Sequence, residues 1–186
     1  MMIDINDIKN GMTVIVEGNL YQIVDFLHVK PGKGAAFMKT KLKNLRTGGT
    51  IEKTFNTNIK IEKANISKKT MQYLYNTTDM YYFMDMNTYE QVELNKKQIE
   101  NEVKYLKEGL EVIIIFFEGE MLGIELPEKI SFKITKTEPG IKGNTATNAT
   151  KDAIIETGML VKVPLFIEQD EEIIVSTKDG KYVSRK

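Results

Sequence analysis

Ile23-Val24-Asp25-Phe26-Leu27-His28-Val29-Lys30-Pro31-Gly32-Lys33-Gly34-Ala35-Ala36-Phe37-Met38-Lys39-Thr40-Lys41-Leu42 reads as two β-strands closed by a glycine-flanked tip. Branched and aromatic residues fill both arms, and Pro31, Gly32 and Gly34 break the pattern between them, so the stretch predicts a β-hairpin. Pro31 fixes its own φ near about −65° and biases Lys30 toward extended geometry. Gly32 and Gly34 admit positive φ and remove side chains from beside Lys33. The tip is shaped to present one lysine to a narrow space. On local pattern alone, an ordinary solvent-exposed turn accounts for the same residues more simply.

Similar runs continue in both directions. Residues 13–16, 21–29, 36–44, 51–55, 71–76, 81–85, 90–94, 111–117, 121–126, 130–137, 160–164, 172–177 and 181–184 are alternating or β-rich. Thr47-Gly48-Gly49-Thr50, Glu118-Gly119-Glu120 and Lys178-Asp179-Gly180-Lys181 supply hairpin turns between them. The chain is therefore expected to be mostly β, and small closed barrels would protect its strand edges. One segment departs from this pattern. Within residues 95–110, Ile99, Val103, Leu106 and Leu110 follow helical spacing with Gly109 as a stop, which predicts a short amphipathic helix capping a barrel. Met71, Met84, Met86 and Met121 read as core or near-core packing. Joints at the polar stretch Lys60–Ser67 and at Pro127-Glu128 divide the chain into domains 1–64, 65–127 and 128–186.

Composition narrows the function. With 186 residues, 41% apolar and 28% charged, the chain has ordinary globular composition. There is no cysteine and only one histidine, His28, so disulfides, thiolate zinc sites and histidine metal clusters are excluded and no cofactor or metal is expected. The acidic N-terminus lacks a signal-peptide core and no apolar run approaches a membrane span, so the expected setting is cytoplasmic, with no membrane partner. Sequons at Asn65, Asn76 and Asn148 carry no meaning there.

The 26 basic and 26 acidic residues cancel overall, but they are not evenly spread. The three segments carry +4, −5 and +1, and Lys30, Lys33, Lys39, Lys41, Lys43 and Arg46 lie within residues 30–46 without an acidic neighbour in that stretch. Such a cluster favours phosphate. Lys39, Lys41 and Lys43 alternate, so a strand would set them on one side, as would the polar outer face of any barrel. A second loop, Glu138–Lys151, is rich in Gly, Asn and Thr and suits contacts to single-stranded RNA, although any flexible loop shares that composition. Gly32-Lys33-Gly34 lacks the spacing of a P-loop, and neither a Gly-x-Ser-x-Gly nor a His-Glu-x-x-His motif is present. The acidic run Glu168–Glu172 reads as a solvated loop, and a catalytic role is not expected.

Taken together, His28–Phe37, Leu45-Arg46-Thr47-Gly48, Glu52-Lys53-Thr54-Phe55, Met71–Tyr75, Thr137–Gly143 and Tyr182-Val183-Ser184-Arg185 resemble bacterial translation elongation factor P over essentially the whole chain. The resemblance implies an SH3-like barrel followed by two OB-type barrels, in an elongated shape like that of a tRNA. It implies a monomer that binds ribosomal RNA and proteins between the P and E sites and relieves stalling on consecutive prolines. Lys33 aligns with the tip residue that reaches toward the peptidyl-transferase centre and that a lysine-modifying enzyme extends in many relatives. Pro31, Gly32, Gly34 and Lys30 shape that tip, and Lys39, Lys41, Lys43 and Arg46 would hold RNA phosphate. The resemblance also gives Tyr182 and Arg185 to RNA, and Gly143, Asn144 and Thr145 to the E-site codon.

Proline is a poor nucleophile in peptide transfer, so holding peptidyl-tRNA in an attack-ready geometry would lower the entropic part of the barrier. Two positions depart from the family pattern. Asn144 stands where relatives carry aspartate, and Asp170 stands where the third-domain signature ends in glycine. A generic single-stranded nucleic-acid module on OB folds is the competing reading; it calls for exposed aromatics on a basic groove, whereas the middle segment carries −5.

Overall fold

Burial alternates along the long strands, which is why this chain folds as sheet. In Phe37–Asn44, Met38, Thr40 and Leu42 are buried while Lys39 and Lys41 face solvent, the two-residue repeat of a strand with one face on a core. The computed structural model describes residues 1–140 and 149–186. Among them the strands are β1 (Met2–Asp4), β2 (Thr13–Val16), β3 (Asn19–Val29), β4 (Phe37–Asn44), β5 (Thr50–Asn56), β6 (Lys60–Lys63), β7 (Ser67–Asn76) and β8 (Met80–Met84). The series continues with β9 (Gln91–Asn95), β10 (Glu111–Phe117), β11 (Glu120–Glu125), β12 (Lys129–Thr137), β13 (Thr150–Ile155), β14 (Leu160–Pro164), β15 (Glu172–Ser176) and β16 (Tyr182–Arg185). They form three sheets, in the orders β1-β6-β2-β3-β4-β5, β11-β10-β7-β8-β9 and β14-β13-β12-β15-β16. The mostly β expectation holds.

The chain divides into two compact units, Met1–Lys69 with Ile114–Gly123, and Thr70–Ile113 with Ile124–Lys186. In the first unit the six-stranded sheet wraps a core that includes Ile5, Val14, Ile23, Met38, Leu42 and Phe55. A second, smaller cluster joins Leu20 and Ala64 to Leu122, with Leu45, Ile115 and Phe117 packed against it. In the second unit Phe132, Ile134, Ile155, Val163, Ile173 and Val175 close a core that also takes in Tyr105. Tyr73 meets Tyr81 and Phe83 edge to face, with ring centroids 6.1 and 5.6 Å apart, an arrangement favoured by the ring quadrupoles.

Three strands lie where the pattern of residues suggested none. β6 opens the polar stretch read as a joint: Ile61 is its one buried residue, but its backbone pairs with both β1 and β2. β1 has too few residues to show alternation, and the first residues of β13 fell inside the stretch read as a hydrogen-bonding loop. The predicted amphipathic helix also needs correction. Residues 95–110 form two 3-10 turns, Lys96–Ile99 and Val103–Tyr105. Backbone bonds Glu102 N–H to Ile99 O, Tyr105 N–H to Glu102 O and Leu106 N–H to Val103 O all span three residues, so the tighter helix replaces the α-form. At the start of the first turn Asn95 and Gln98 make a reciprocal capping box. What the helical spacing missed is Tyr105, which the tighter winding drives into the core. Met71 is buried as expected, whereas Met86 is 44% exposed and is not core.

Candidate nucleic-acid interface

The hairpin predicted at the start is present, and it is the longest in the first unit. β3 and β4 pair from Tyr21↔Asn44 out to Val29↔Phe37, with a bulge between Ile23 and Asp25. The loop therefore spans residues 30–36. Its base is fixed, because Ala36 O accepts from Thr57 N–H at 3.4 Å and from Thr57 Oγ1 at 3.3 Å. Lys30, Pro31, Gly32, Lys33, Gly34 and Ala35 are all exposed. No hydrogen bond or ion pair holds Lys33 among the described residues. Gly34 has φ +96°, a conformation that strains any residue with a Cβ. Gly32 does not have positive φ, and nothing lies within 4 Å of where its Cβ would stand. Neither backbone strain nor internal crowding requires glycine at 32.

Behind the tip, the register sets Lys39, Lys41 and Lys43 on the same outward side of β4. Sequence reading found this face but not what neighbours it. Lys41 stands opposite Asp25 on β3 and Glu52 on β5, and Lys39 stands between Leu27 and Thr54. The same residues line a shallow groove on this surface. The parity of the hairpin, counted back from its loop, was the signal that could have placed Asp25 beside Lys41. Leu27 is 62% exposed on this face, a large apolar side chain among charges.

Arg46 is in a different situation. The β4–β5 turn is tightened by Asn44, whose Oδ1 accepts from the backbone N–H of Arg46 at 2.9 Å and of Thr47 at 3.0 Å. From that turn the guanidinium makes a two-point pair with Glu120, Nε to Oε1 at 3.1 Å and Nη2 to Oε2 at 3.0 Å. This is the strong planar geometry of arginine with a carboxylate. The hydrogen bonds from Arg46 hold the Glu120 carboxyl below its ordinary value, and the same bonds raise Arg46. Glu120 is aimed by the preceding two-residue turn, where Glu118 and Gly119 both have positive φ, as a type I′ hairpin demands.

In the second unit Arg185 on β16 is held in a similar way. Its Nη2 lies 2.8 Å from Glu171 Oε1, and its guanidinium sits 4.8 Å over the Phe166 ring. The backbone N–H of Glu168, and secondarily Arg185, keep the Glu171 carboxyl below its usual range. Tyr182 is half-buried against the C-terminal core. Gly143, Asn144 and Thr145 lie outside the described residues. Asp170, the other departure from the family pattern, adopts φ +69°. Its place in the turn explains why a glycine suits it, and aspartate is among the side chains that tolerate this region.

Among the described residues no group of three or more His, Asp or Glu side chains comes together as a metal site, and no helix is long and apolar enough to cross a membrane. What the geometry offers is a free ammonium on a thin tip, followed by a strand face of lysines. Such a surface can hold polyanion and place a cation, both by position alone.

Comparison with known proteins agrees along the whole chain. Residues 4–61 match the elongation factor P KOW-like domain, residues 66–124 its OB domain and residues 130–185 its C-terminal domain. Among solved structures, eukaryotic translation initiation factor 5A from Methanococcus jannaschii is similar, at 28% identity and a TM-score of 0.54, over 68% of this chain and 94% of that one. A translation initiation factor eif-5a family protein from Naegleria fowleri shares the fold at 16% identity and a TM-score of 0.50, over 68% of this chain and 98% of that one.

Proposed function

The chain belongs to the elongation factor P family, and we propose that it binds the ribosome between the P and E sites and speeds peptide-bond formation at consecutive prolines by positioning peptidyl-tRNA. The observation that carries this reading is Lys33, exposed and without a partner among the described residues, at the end of a loop anchored at its base. A lysine committed to the fold would have a carboxylate beside it, as Arg46 and Arg185 do. Gly32 supports the same reading, since no internal contact excludes a side chain there and its absence keeps the tip thin.

The chemistry belongs to the ribosome, and this chain supplies geometry. Proline's secondary amine and fixed φ leave the attacking and accepting groups poorly aligned, and restricting the CCA end of peptidyl-tRNA restores part of the lost alignment. Lys33, extended by a lysine-modifying enzyme, would run beside the tRNA backbone. Lys30, Lys39, Lys41 and Lys43 would contact phosphate, with Asp25 and Glu52 limiting how much anion Lys41 attracts. Asn144, in place of the usual aspartate, would meet the E-site codon with an amide that donates as well as accepts. The work is cytoplasmic, as translation is, and the domains that do it are 1–64, 65–127 and 128–186, a division supported by the limits of the three family matches.

Reconstituted translation of a reporter with three consecutive prolines, beside a proline-free control, tests this. Wild type is expected to speed only the proline reporter, and Lys33→Ala is expected to lose that effect. If protein purified from its native host, carrying any modification, leaves the proline reporter unchanged, the reading is wrong.

A further inference from the structure

Arg46 belongs, by sequence alone, with the lysines of residues 30–46 as a phosphate contact. Its surroundings point elsewhere. The guanidinium has its Nε and one Nη committed to the two oxygens of Glu120, at 3.1 and 3.0 Å. Both partners are delivered by stiff elements: the Asn44-braced turn on one side, and the I′ turn at Glu118-Gly119 on the other. Immediately beneath them Leu45 packs against the Leu20–Ala64–Leu122 cluster, and Leu45 N–H donates to Leu20 O at 3.0 Å. Leu20 is the second residue of β3, the strand that runs out to the Lys33 tip, and Leu122 follows Glu120 on β11.

We infer that Arg46 and Glu120 form a latch that fixes the direction of the β3–β4 hairpin against the segment Ile114–Gly123 of the same unit, so that Arg46 is a positioning residue for Lys33. Hydrophobic attraction draws the apolar cluster together but is itself non-directional. A two-point guanidinium–carboxylate pair is planar and directional, and it supplies the missing constraint. An arm that must place one ammonium beside a reacting group loses much of its effect when its root can swing, since misplacement of about 1 Å costs on the order of 100-fold in rate. This inference rests on the positioning role proposed above, but the geometry of the latch can be tested without it.

The direct test uses distance. The chain has no cysteine, so spin labels on Leu27→Cys and Glu118→Cys, both in the first unit, report alone. The otherwise native protein is expected to give a narrow distance distribution. Glu120→Gln and Arg46→Ala should each broaden it, and the reversed pair Arg46→Glu with Glu120→Arg should narrow it again. Melting curves of each variant show whether the fold itself is intact. Unchanged widths in folded Glu120→Gln would overturn the latch.

The functional arm separates the two roles of Arg46. As a latch, Glu120→Gln and Arg46→Ala both lower the maximal rate of proline rescue, by roughly 10-fold, with little change in half-saturating concentration, and the reversed pair recovers most of the loss. As a phosphate contact, Arg46→Ala instead raises the half-saturating concentration and lowers the salt slope by about one, while Glu120→Gln changes neither and the reversed pair rescues nothing. That second pattern would overturn the inference. A wild type without proline rescue would break the proposed function alone, leaving the label distances to decide the latch.

Discussion

Lys33 in the first unit and Arg185 in the second carry the same charge under opposite conditions. Lys33 has an anchored loop base, a bare tip and no partner among the described residues, whereas Arg185 has a carboxylate at 2.8 Å and an aromatic ring beneath it. The difference teaches that basic residues count toward anion binding only after the acids of the folded chain have taken their share. Arg46 sits in a basic stretch and is spent internally, while Lys33 is left over.

The contrast between committed and uncommitted side chains extends to the two faces of β4, and its core side should show the largest effect. Leu42→Ala should cost about 2–5 kcal/mol by leaving a cavity in a fully buried site, and Lys41→Ala on the opposite face should stay within about 0.5 kcal/mol; urea unfolding measures both. Equal costs would mean that the outward lysines hold the fold together. Next in size, Lys33→Ala should reduce proline rescue by about 100-fold while its unfolding midpoint matches wild type, which separates placement from stability. A smaller effect sharpens the description of the tip: Gly34→Ala should lose about 1–2 kcal/mol because φ is +96°, and Gly32→Ala should be close to neutral in stability yet weaken rescue if the tip enters a narrow space.

The smallest expected effect lies at Arg185. The Glu171 carboxyl is held below its ordinary value of 4.5 by the Glu168 N–H and by Arg185. A depressed folded value means that the carboxylate's contribution is complete above the unfolded value and is lost as pH falls through the folded one. Glu171→Gln should therefore melt slightly below wild type at pH 7, and the gap should close as pH falls below the ordinary carboxylate range. A difference that persists in acid would show that the pair is not what the substitution removed.

Much of this was legible in the sequence, for reasons that also explain the failures. Alternation and glycine-bearing turns gave the long strands: β4 and β12 each have a wet face and a dry one, while β10 is a short apolar run ended by a Glu-Gly turn. β6 was lost because Ile61 is a single buried residue among charges, and its strand character comes from neighbours on β1 and β2. Residues 95–110 defeated the helical template because the 4-3-4 spacing of Ile99, Val103, Leu106 and Leu110 is that of an α-helix, while the hydrogen bonds close two separate 3-10 turns. At the site, Lys33 was visible because Pro and Gly act locally. The partner of Arg46 was not, since Glu120 lies 74 residues away and becomes its neighbour only in the folded chain.

The pairing of β1 with β6, which sets Met2 opposite Glu62, has a consequence for the order of assembly. β1 has no partner until β6 has emerged, and the cluster around Leu20 stays incomplete until Leu122 arrives. Closing such long loops costs entropy before any contact repays it, so pairings of this kind form late. The β3–β4 hairpin, local in sequence, is free to form first. The arm that carries Lys33 would then stand as a finished element on an unfinished unit, open to solvent while the rest of the chain is still being made.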